Sequence, residues 1–547
     1  MKIYNWRPFL DRWSADWIDS PHAEGREDAA EEVVRDRWLG FAPAGAERIA
    51  GLEDRLGTEL PPSFRSFLAV TDGWRPAGTG VPLLGTVDGV HWHKGAELRL
   101  SVASDLTDLL LDPGDMNGDG EWAAYLCRSW SGEPPVRYES FLDLMQALFR
   151  DFHRGSAVPE FVNATTRELD AAVEEARVAC LAGEDIDGQL DVFEDAVEHG
   201  RPRAGAFRAE LAALLDGRPG DVGARPLPYE PDGPFRVAVD TAREQARWGD
   251  TDAAWRTLAT AVGTWEPYGN EQVAPVGLLA DPVLGPVITP ERGRYLLETP
   301  RGGGRRVRGG EAGGGWDAPG LVSREVGLTW LADHVAQPGD YRFVLVRGVS
   351  PEEVAARVGE GVLLPPGDEG EFQRRSFGPD ARPVVRVGSA GEGWSFAFGT
   401  VLEPFRSGQL ADPGERASRG TEAVTVWVER GDTAAARPGA FYFSYAEDGR
   451  RVYGFAVRGD EIEEWGDVPE ALDPEELFPG AEVPEDVEEE YVEHAEYAGP
   501  APVALEVDDE FEALDALTDF FGVALPQLAL RRGRLHAVAA RPWIAAR

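Results

Sequence analysis

The spacing of apolar residues in positions 46–74, AERIAGLEDRLGTELPPSFRSFLAVTDGW, predicts two short helices separated by a proline break. In both helices the apolar residues recur at intervals that place them on one face. Pro61 and Pro62 end the first helix and can open the second, because proline is tolerated in the first turn of a helix. Asp72-Gly73 then predicts a turn. The apolar positions are Ile49, Leu52, Leu56, Leu60, Phe64, Phe67, Leu68 and Val70.

The flanking sequence completes an α+β pattern around this helix pair. Residues 81–130 alternate apolar and polar positions, which is typical of strands, and residues 138–153 return to a helical apolar stripe. Two helices, a sheet and a closing helix predict a first α+β domain over residues 1–156. An additional helix at its N-terminus is predicted by the spacing of Trp6, Phe9, Trp13 and Trp17.

This predicted domain resembles the SUKH superfamily. The helix pair of residues 46–74 matches the pattern LP..(Y/F)..FL...(D/N)G, residues 118–122 read GDGEW, and residues 138–141 (YESF) lead into the closing helix. The likeness covers roughly residues 30–155. It implies a module that binds another protein. In bacteria it implies an immunity protein that neutralises a toxin domain, often a nuclease, and in fungi a link to cell-wall regulation.

Residues 159–300 predict helical hairpins. Gly183-Glu184-Asp185 and Gly249-Asp250 each follow one charged helix and precede another, so each is predicted to be the corner of an antiparallel helix pair. This corner resembles that of tetratricopeptide-like hairpins, and the apolar segment that follows is expected to cover them. Residues 301–320, rich in glycine and arginine, are predicted to be a flexible linker.

Residues 321–547 predict a second α+β domain, so the fold class expected for the chain is α+β multidomain. Asp448-Gly449 between two apolar runs predicts a β-hairpin. Residues 460–512 are strongly acidic and interrupted by proline, so much of this segment is expected to be a mobile loop. The domain resembles an uncharacterised actinobacterial family, from which no activity carries over. That resemblance rests on residues 346–349 (VRGV), 393–395 (GWS) and 418–421 (SRGT).

The net charge of the chain limits the kinds of molecule that it can be expected to bind. The 547 residues include 97 acidic and 54 basic side chains, a formal net charge of −43. Nucleic acids and anionic membranes are bound by clustered positive charge, so the composition argues against both and favours a basic partner. The N-terminus lacks a signal-peptide core, and no window approaches the ~20 apolar residues of a membrane span. We therefore expect a cytoplasmic protein whose cysteines, Cys127 and Cys180, are reduced and buried.

Metal-binding patterns are incomplete. Residues 115–120 (DMNGDG) match the first six positions of an EF-hand loop, but position twelve is Leu126 where calcium needs a carboxylate. The segment is also predicted to lie between strands. His91 and His93 could share one strand face, but no further zinc ligand is spaced nearby. We therefore expect no metal or other cofactor.

Catalytic motifs are equally weak. The sequence has no nucleophile elbow, no cysteine with a convincing partner and no HExxH pattern, so no enzyme activity is expected. The turns at Arg347-Gly348 and Ser418-Arg419-Gly420 could bind an anion through arginine and backbone N–H groups, although such turns are common without ligands.

The candidate contact surface is the acidic turn between Asp112 and Glu121, together with two tryptophans. Exposed tryptophan beside acidic residues is typical of protein-binding hot spots, and Trp74 follows a turn that is expected near the surface. Complementary charge would speed encounter with a basic cleft. We predict a non-enzymatic protein-binding protein whose partner could be a basic toxin domain. A regulatory scaffold without a toxin partner is the alternative, and the oligomeric state stays open. The predicted partner-binding residues are Trp74, Asp112, Asp115, Asp119, Glu121 and Trp122.

Overall fold

The chain divides into two compact units. Unit 1 comprises Met1–Ala209 and Glu271–Val273, and unit 2 comprises Glu210–Asn270 and Ala274–Arg547. The boundary between the two units falls within residues 159–300, the segment predicted to form helical hairpins. The domain bounds given in the sequence analysis remain predictions. The computed structural model describes residues 4–20, 31–75, 84–94, 96–100, 107–128, 131–155, 162–219, 233–301, 327–333, 339–375, 383–400, 411–431, 438–481 and 505–543.

Unit 1 combines helices with an antiparallel sheet whose described strands run in the order β1-β2-β3-β4-β5. Its strands are β1 (His91–His93), β2 (Glu97–Arg99), β3 (Thr107–Met116), β4 (Trp122–Arg128) and β5 (Val136–Tyr138). Its helices are α1 (Trp6–Asp19), α2 (Glu31–Asp36), α3 (Ala46–Leu56), α4 (Pro62–Leu68), α5 (Phe141–Gly155), α6 (Ala164–Ala182) and α7 (Ile186–Glu198). Helix α8 (Pro202–Asp216) contains the point where the chain passes into unit 2.

The predicted helix pair is confirmed as α3 and α4. Gly57 ends α3 in the left-handed region at φ 72°, and Pro62 opens α4. The apolar faces of both helices join one core with the tryptophans of α1, which confirms the predicted N-terminal helix. The ring centroid of Trp6 lies 5.4 Å from that of Phe67 and 5.5 Å from that of Phe141.

Both predicted Gly-Asp corners are confirmed, one in each unit. Gly183 ends α6 with φ 75°, and the Asp185 side chain accepts a hydrogen bond from Gly188 N at the start of α7. In unit 2, Asp250 caps α10 by accepting from Ala253 N at 2.9 Å. A glycine in the left-handed region suits the end of a helix, and an aspartate side chain accepts hydrogen bonds from backbone N–H groups at the start of the next helix. Together these preferences explain the Gly-Asp motif. Unit 2 contains α9 (Pro234–Arg247), α10 (Thr251–Ala261), α11 (Gly277–Ala280) and α12 (Pro290–Glu298).

The sheet of unit 2 is antiparallel at every described pairing, in the order β13-β12-β11-β10-β6-β9-β8-β14-β7. The strands are β6 (Tyr341–Arg347), β7 (Gly359–Gly367), β8 (Val384–Gly391), β9 (Trp394–Thr400), β10 (Glu422–Glu429), β11 (Ala440–Glu447), β12 (Arg450–Arg458), β13 (Glu461–Trp465) and β14 (Leu535–Ala540). Asp448-Gly449 connects β11 to β12, which confirms that predicted hairpin.

Helices cover both faces of this sheet. Phe343 and Leu345 of β6 pack with α17 (Val507–Phe521) and α18 (Gln527–Arg532) on one face. Val344 and Val346 pack with α13 (Pro351–Val358) on the other. Burial on both faces explains the unbroken apolar run of β6. The helices are α13 (Pro351–Val358), α14 (Glu369–Arg375), α15 (Pro413–Ala417), α16 (Pro474–Leu477), α17 (Val507–Phe521) and α18 (Gln527–Arg532).

Two expectations about irregular segments need correction. Residues 460–481 are not a mobile loop, because β13 pairs with β12 and α16 follows; residues 482–504 lie outside the described residues. Arg301 is not linker, since it is 2% exposed and its Nη1 donates to the carbonyls of Leu296 and Leu297 at the end of α12. Residues 302–320 lie outside the described residues.

The structure has a mixed α+β fold with antiparallel sheets. Cys180 is buried as expected, but Cys127 is only half-buried, and the two cysteines are not joined by a disulfide bond. In the described ranges, no helix has both the length and the apolar character needed to cross a bilayer.

Candidate functional site

The candidate site is the connection between β3 and β4 in unit 1. The register moves from the pair Asp112–Ala123 to the pair Met116–Trp122, so residues 113–115 bulge out of the ladder. The Asp112 carboxylate accepts a hydrogen bond from Gly114 N at 2.7 Å, which stabilises the bulge. Of the segment that matches an EF-hand start, residues 117–120 lie between strands, as predicted, whereas Asp115 and Met116 end β3.

The turn after the bulge is held by one asparagine. Asn117 Oδ1 accepts from Asp119 N at 3.0 Å and from Glu121 N at 3.1 Å. Asn117 N donates to Glu121 O at 2.9 Å, which closes the turn at its base. Side chains that accept from nearby backbone N–H groups fix turns of this kind. The tip therefore has a defined conformation although its side chains are exposed.

Asp115 is engaged within unit 1. Arg137 Nε donates to Asp115 Oδ2 at 2.6 Å and Arg137 Nη2 donates to Oδ1 at 2.9 Å, a two-point contact. The Tyr125 hydroxyl donates to the same carboxylate at 2.9 Å. The hydrogen bonds from Arg137 and Tyr125 lower the pKa of Asp115 to about 2. Arg137 also contacts Glu139, and one guanidinium cannot neutralise two carboxylates.

Glu121 and Trp122 do not belong to the surface, contrary to the sequence prediction. Glu121 is 2% exposed; its carboxylate accepts from Ser63 N and Ser63 Oγ in the first turn of α4. Burial and a hydrogen bond with Glu121 raise the pKa of Tyr4 to about 12. Trp122 is 3% exposed and stacks on Trp92, with ring centroids 6.4 Å apart. The GEW sequence thus anchors the turn to the core.

The expectation that Trp74 lies at the surface is wrong. Trp74 is 3% exposed, and its ring packs against Trp13 and Trp38 at centroid distances of 5.7 Å and 5.4 Å. Its backbone exchanges two hydrogen bonds with Leu84, which draws the residue inward after the Asp72-Gly73 turn. The side chain therefore stabilises unit 1 and cannot contact a partner directly.

The side chains that remain accessible are Asp112, which is half-buried, Asp119, which is exposed, and Met116. Met116 is 57% exposed at the end of β3, and the sequence reasoning missed it. An isolated methionine in a polar turn gives no sequence signal of exposure. Flexible, polarizable methionine suits adaptable protein contacts. Within unit 1, the structure thus brings an apolar side chain and two carboxylates to one turn.

A buried titratable cluster lies elsewhere in unit 1. Asp16 and His153 are each 1% exposed, and His153 Nε2 lies 3.5 Å from Asp16 Oδ2. Thr165 Oγ1 donates to the same oxygen at 2.5 Å. Burial alone would raise the pKa of Asp16, but the interaction with His153 and the hydrogen bond from Thr165 outweigh it and hold the pKa below its usual value. These contacts join α1, α5 and α6.

Metal ligands do not converge among the described residues, where no group of three His, Cys, Asp or Glu side chains could hold an ion. In the segment that matches the start of an EF-hand loop, the Asp115 carboxylate is occupied by Arg137 and Tyr125. His91 is exposed on β1, and its Nδ1 lies 2.9 Å from Gly89 O.

Comparison of the chain with known proteins found no match. No protein-family model, curated protein or solved structure matches the chain.

Proposed function

We propose that this chain is a non-enzymatic, cytoplasmic protein-binding protein that uses the β3–β4 turn of unit 1 to contact a basic protein. The finer fold assignment belongs to the same proposal: a SUKH-like domain over residues 1–156, helical hairpins after it and an α+β domain at the C-terminus. On this assignment, the partner is a toxin domain that is neutralised by direct binding.

The observation that carries the proposal is the combination of a fixed backbone and accessible side chains in one turn. Asn117 and Glu121 tie residues 117–121 to each other and to α4, whereas Met116 and Asp119 face solvent. A preorganised contact loop binds more tightly, because less conformational freedom is lost on association. An apolar anchor beside carboxylates also suits a basic protein surface.

Electrostatics supports the same partner. The chain carries a formal net charge of −43, and Asp112 and Asp119 add negative charge at the turn after Arg137 has neutralised Asp115. Opposite charge raises association rates and makes them depend on salt. A nuclease domain with a basic phosphate-binding cleft would meet such a surface favourably.

The test uses the full chain and the effector domain encoded beside its gene, purified as an inactive variant. Met116→Asp and Asp119→Arg should each weaken binding by roughly tenfold or more, with Asp119→Arg acting mainly on the association rate. Asp191→Arg, an exposed residue of α7, is the matched control and should leave binding unchanged.

The outcomes separate the two functions. Binding that also blocks the toxin's activity supports immunity. Binding without neutralisation would show a protein-binding role other than immunity, whereas the regulatory scaffold should bind no toxin domain. If no neighbouring effector domain binds, or if both turn variants bind as tightly as the control, the proposed function is wrong.

A further inference from the structure

Unit 2 contains a cavity of about 240 Å³ that the proposed function does not use. It lies beside the predicted Ser418-Arg419-Gly420 turn and is lined by Arg357, Arg416, Arg419, Arg541 and Trp543 among others. The residues come from α13, from α15 and the turn after it, and from the segment that follows β14. The cavity is therefore walled by parts of the chain that are far apart in sequence.

The wall at α15 is fixed by a buried carboxylate. Asp412 is 7% exposed and accepts hydrogen bonds from Gly414 N at 2.7 Å, from Thr425 Oγ1 at 3.0 Å and from Tyr442 Oη at 3.0 Å. Ser444 Oγ donates to it as well. Both oxygens of Asp412 thereby accept hydrogen bonds from the protein. This carboxylate fixes the position of the cavity wall and does not need a cationic group of a ligand as its partner.

The charge of the lining is opposite to that of the chain. Four arginines line the cavity against two carboxylates, Asp412 and Glu415, whereas the chain as a whole carries −43. Two of these arginines have structural partners. Arg357 donates to the carbonyls of Ala417 and Arg419, and Arg541 lies 3.4 Å from Glu360 Oε1.

The other two arginines are available to a ligand. In the part of the chain that the structure describes, no ion pair engages the guanidinium of Arg416 or of Arg419, and both residues are exposed at the cavity. Most described arginines of this acidic protein are paired. Two unpaired guanidiniums at one cavity therefore mark a place where negative charge from outside the chain is favoured.

Buried donors give a second, independent indication. Trp543 is 1% exposed, and its Nε1 is buried without a hydrogen-bond partner among the described residues; the same is true of Arg541 Nε. The Trp543 ring is held by Trp427, at a centroid distance of 5.9 Å, and by the Arg342 guanidinium, 4.6 Å from the ring centroid. Indole and guanidinium groups only donate, so they require an acceptor. Leaving such donors unpaired is unfavourable.

We propose that this cavity binds a small oxyanion of the phosphate type, either free phosphate or the phosphate group of a small monoester. The exposed guanidiniums of Arg416 and Arg419 lie at the cavity on α15 and on the turn after it, and Arg541 and Trp543 of the C-terminal segment line it. Donors on several sides suit a tetrahedral anion with several acceptor oxygens better than a planar carboxylate with two. The volume admits a small anion and is below that of most drug-sized pockets.

The experiment measures binding of inorganic phosphate to the full chain by calorimetry at constant ionic strength, with chloride and acetate as comparison anions. We expect saturable one-to-one binding of phosphate that acetate and chloride do not reproduce. The double variant Arg416→Gln/Arg419→Gln should weaken it at least tenfold. Trp543→Phe keeps an aromatic ring and removes the N–H, and should weaken it several-fold. Arg458→Gln, an exposed residue of β12, is the matched control and should bind like the unmodified chain.

Thermal unfolding without phosphate shows whether each variant is folded, and phosphate should raise the unfolding temperature of the unmodified chain and of Arg458→Gln more than that of the other variants. Three results would overturn the inference: no saturable binding up to about 10 mM phosphate, equal affinity in the double variant, or equal binding of acetate. A glucose 6-phosphate titration then separates the sources, since a free-phosphate site should exclude the ester and a monoester site should admit it. None of these outcomes depends on whether unit 1 binds a protein.

Discussion

Glu121, which follows the exposed β3–β4 turn, caps the first turn of α4 by accepting from both the backbone N and the hydroxyl of Ser63. Helix α4 has no side-chain cap from Pro61, its own N-cap residue, so the carboxylate comes from another element. Negative charge at a helix N-terminus is favourable, and here it also joins the turn to the core. Substitutions at this pair should therefore affect both α4 and the turn.

Glu121→Gln should destabilise unit 1 by about 1–3 kcal/mol, because it replaces a charged acceptor that is buried with its donors. The local readout is hydrogen exchange at the backbone amides of residues 62–68, which should become faster. Glu133→Gln, at an exposed glutamate of the same unit, should leave that exchange unchanged. Equal protection in both variants would show that Glu121 does not stabilise α4.

Trp74→Ala should cost about 3–5 kcal/mol of unfolding free energy, as expected for an aromatic side chain removed from a core. Trp74→Phe should keep most of that stability and leave partner binding unchanged. Denaturant unfolding and binding kinetics of the two variants provide the measurement. A loss of partner binding in a stable Trp74→Phe variant would restore the hot-spot interpretation that burial contradicts.

Unit 1 should become less stable as the pH falls. Burial lowers the pKa of His199 below its usual 6.5, so the unfolded chain takes up a proton that the folded chain does not, and stability is lost below about pH 6.5. The depressed pKa of Asp16 contributes stability that is present above about pH 3.9 and is lost as the pH falls through the folded pKa.

Thermal unfolding between about pH 7.5 and about pH 2 measures both contributions. His199→Gln should flatten the upper part of the profile, and Asp16→Asn should lower stability near neutral pH while flattening the acidic part. A profile of the unmodified chain that is level across this range would contradict both assignments.

Gly293→Ala should strongly destabilise unit 2, by about 1–3 kcal/mol or more. A Cβ at Gly293 of α12 would overlap the carbonyl oxygen of Leu214, which is backbone and cannot move aside as a side chain can. Gly269→Ala is the control, since a Cβ there meets nothing within 4 Å. Similar unfolding midpoints for the two variants would show that α12 can shift away from α8.

Local patterns were enough to predict several elements. The proline break between α3 and α4, the Gly-Asp corners and the Asp448-Gly449 hairpin depend on residues adjacent in sequence, whose preferences act within one turn. Strand β14 was missed, because LHAVAA has few β-branched residues, although it pairs with both β7 and β8. Its conformation is determined by neighbours more than 140 positions away.

The candidate sites also depend on residues that are distant in sequence. The acidic turn was found from its sequence, but Trp74, Glu121 and Trp122 proved to be buried, because exposure depends on which elements pack around a side chain. The arginine-lined cavity could not be predicted as a cavity, since its walls come from residues 357, 411–419 and 541–543. The Arg419 turn was recognised from sequence, whereas the unpartnered donor of Trp543 was not.

The two border strands of the large sheet have a bearing on self-association. Among the described strands, β7 and β13 are the outermost. Pro365 and Pro366 in β7 have no N–H to offer an incoming strand, and β13 exposes Glu461, Glu463 and Glu464. A second chain that added to the sheet at β7 would thus find no N–H donors at the two prolines. A second copy that added at β13 would be repelled by the carboxylates there. A sheet rich in aromatic and aliphatic residues is in this way kept from growing into fibres.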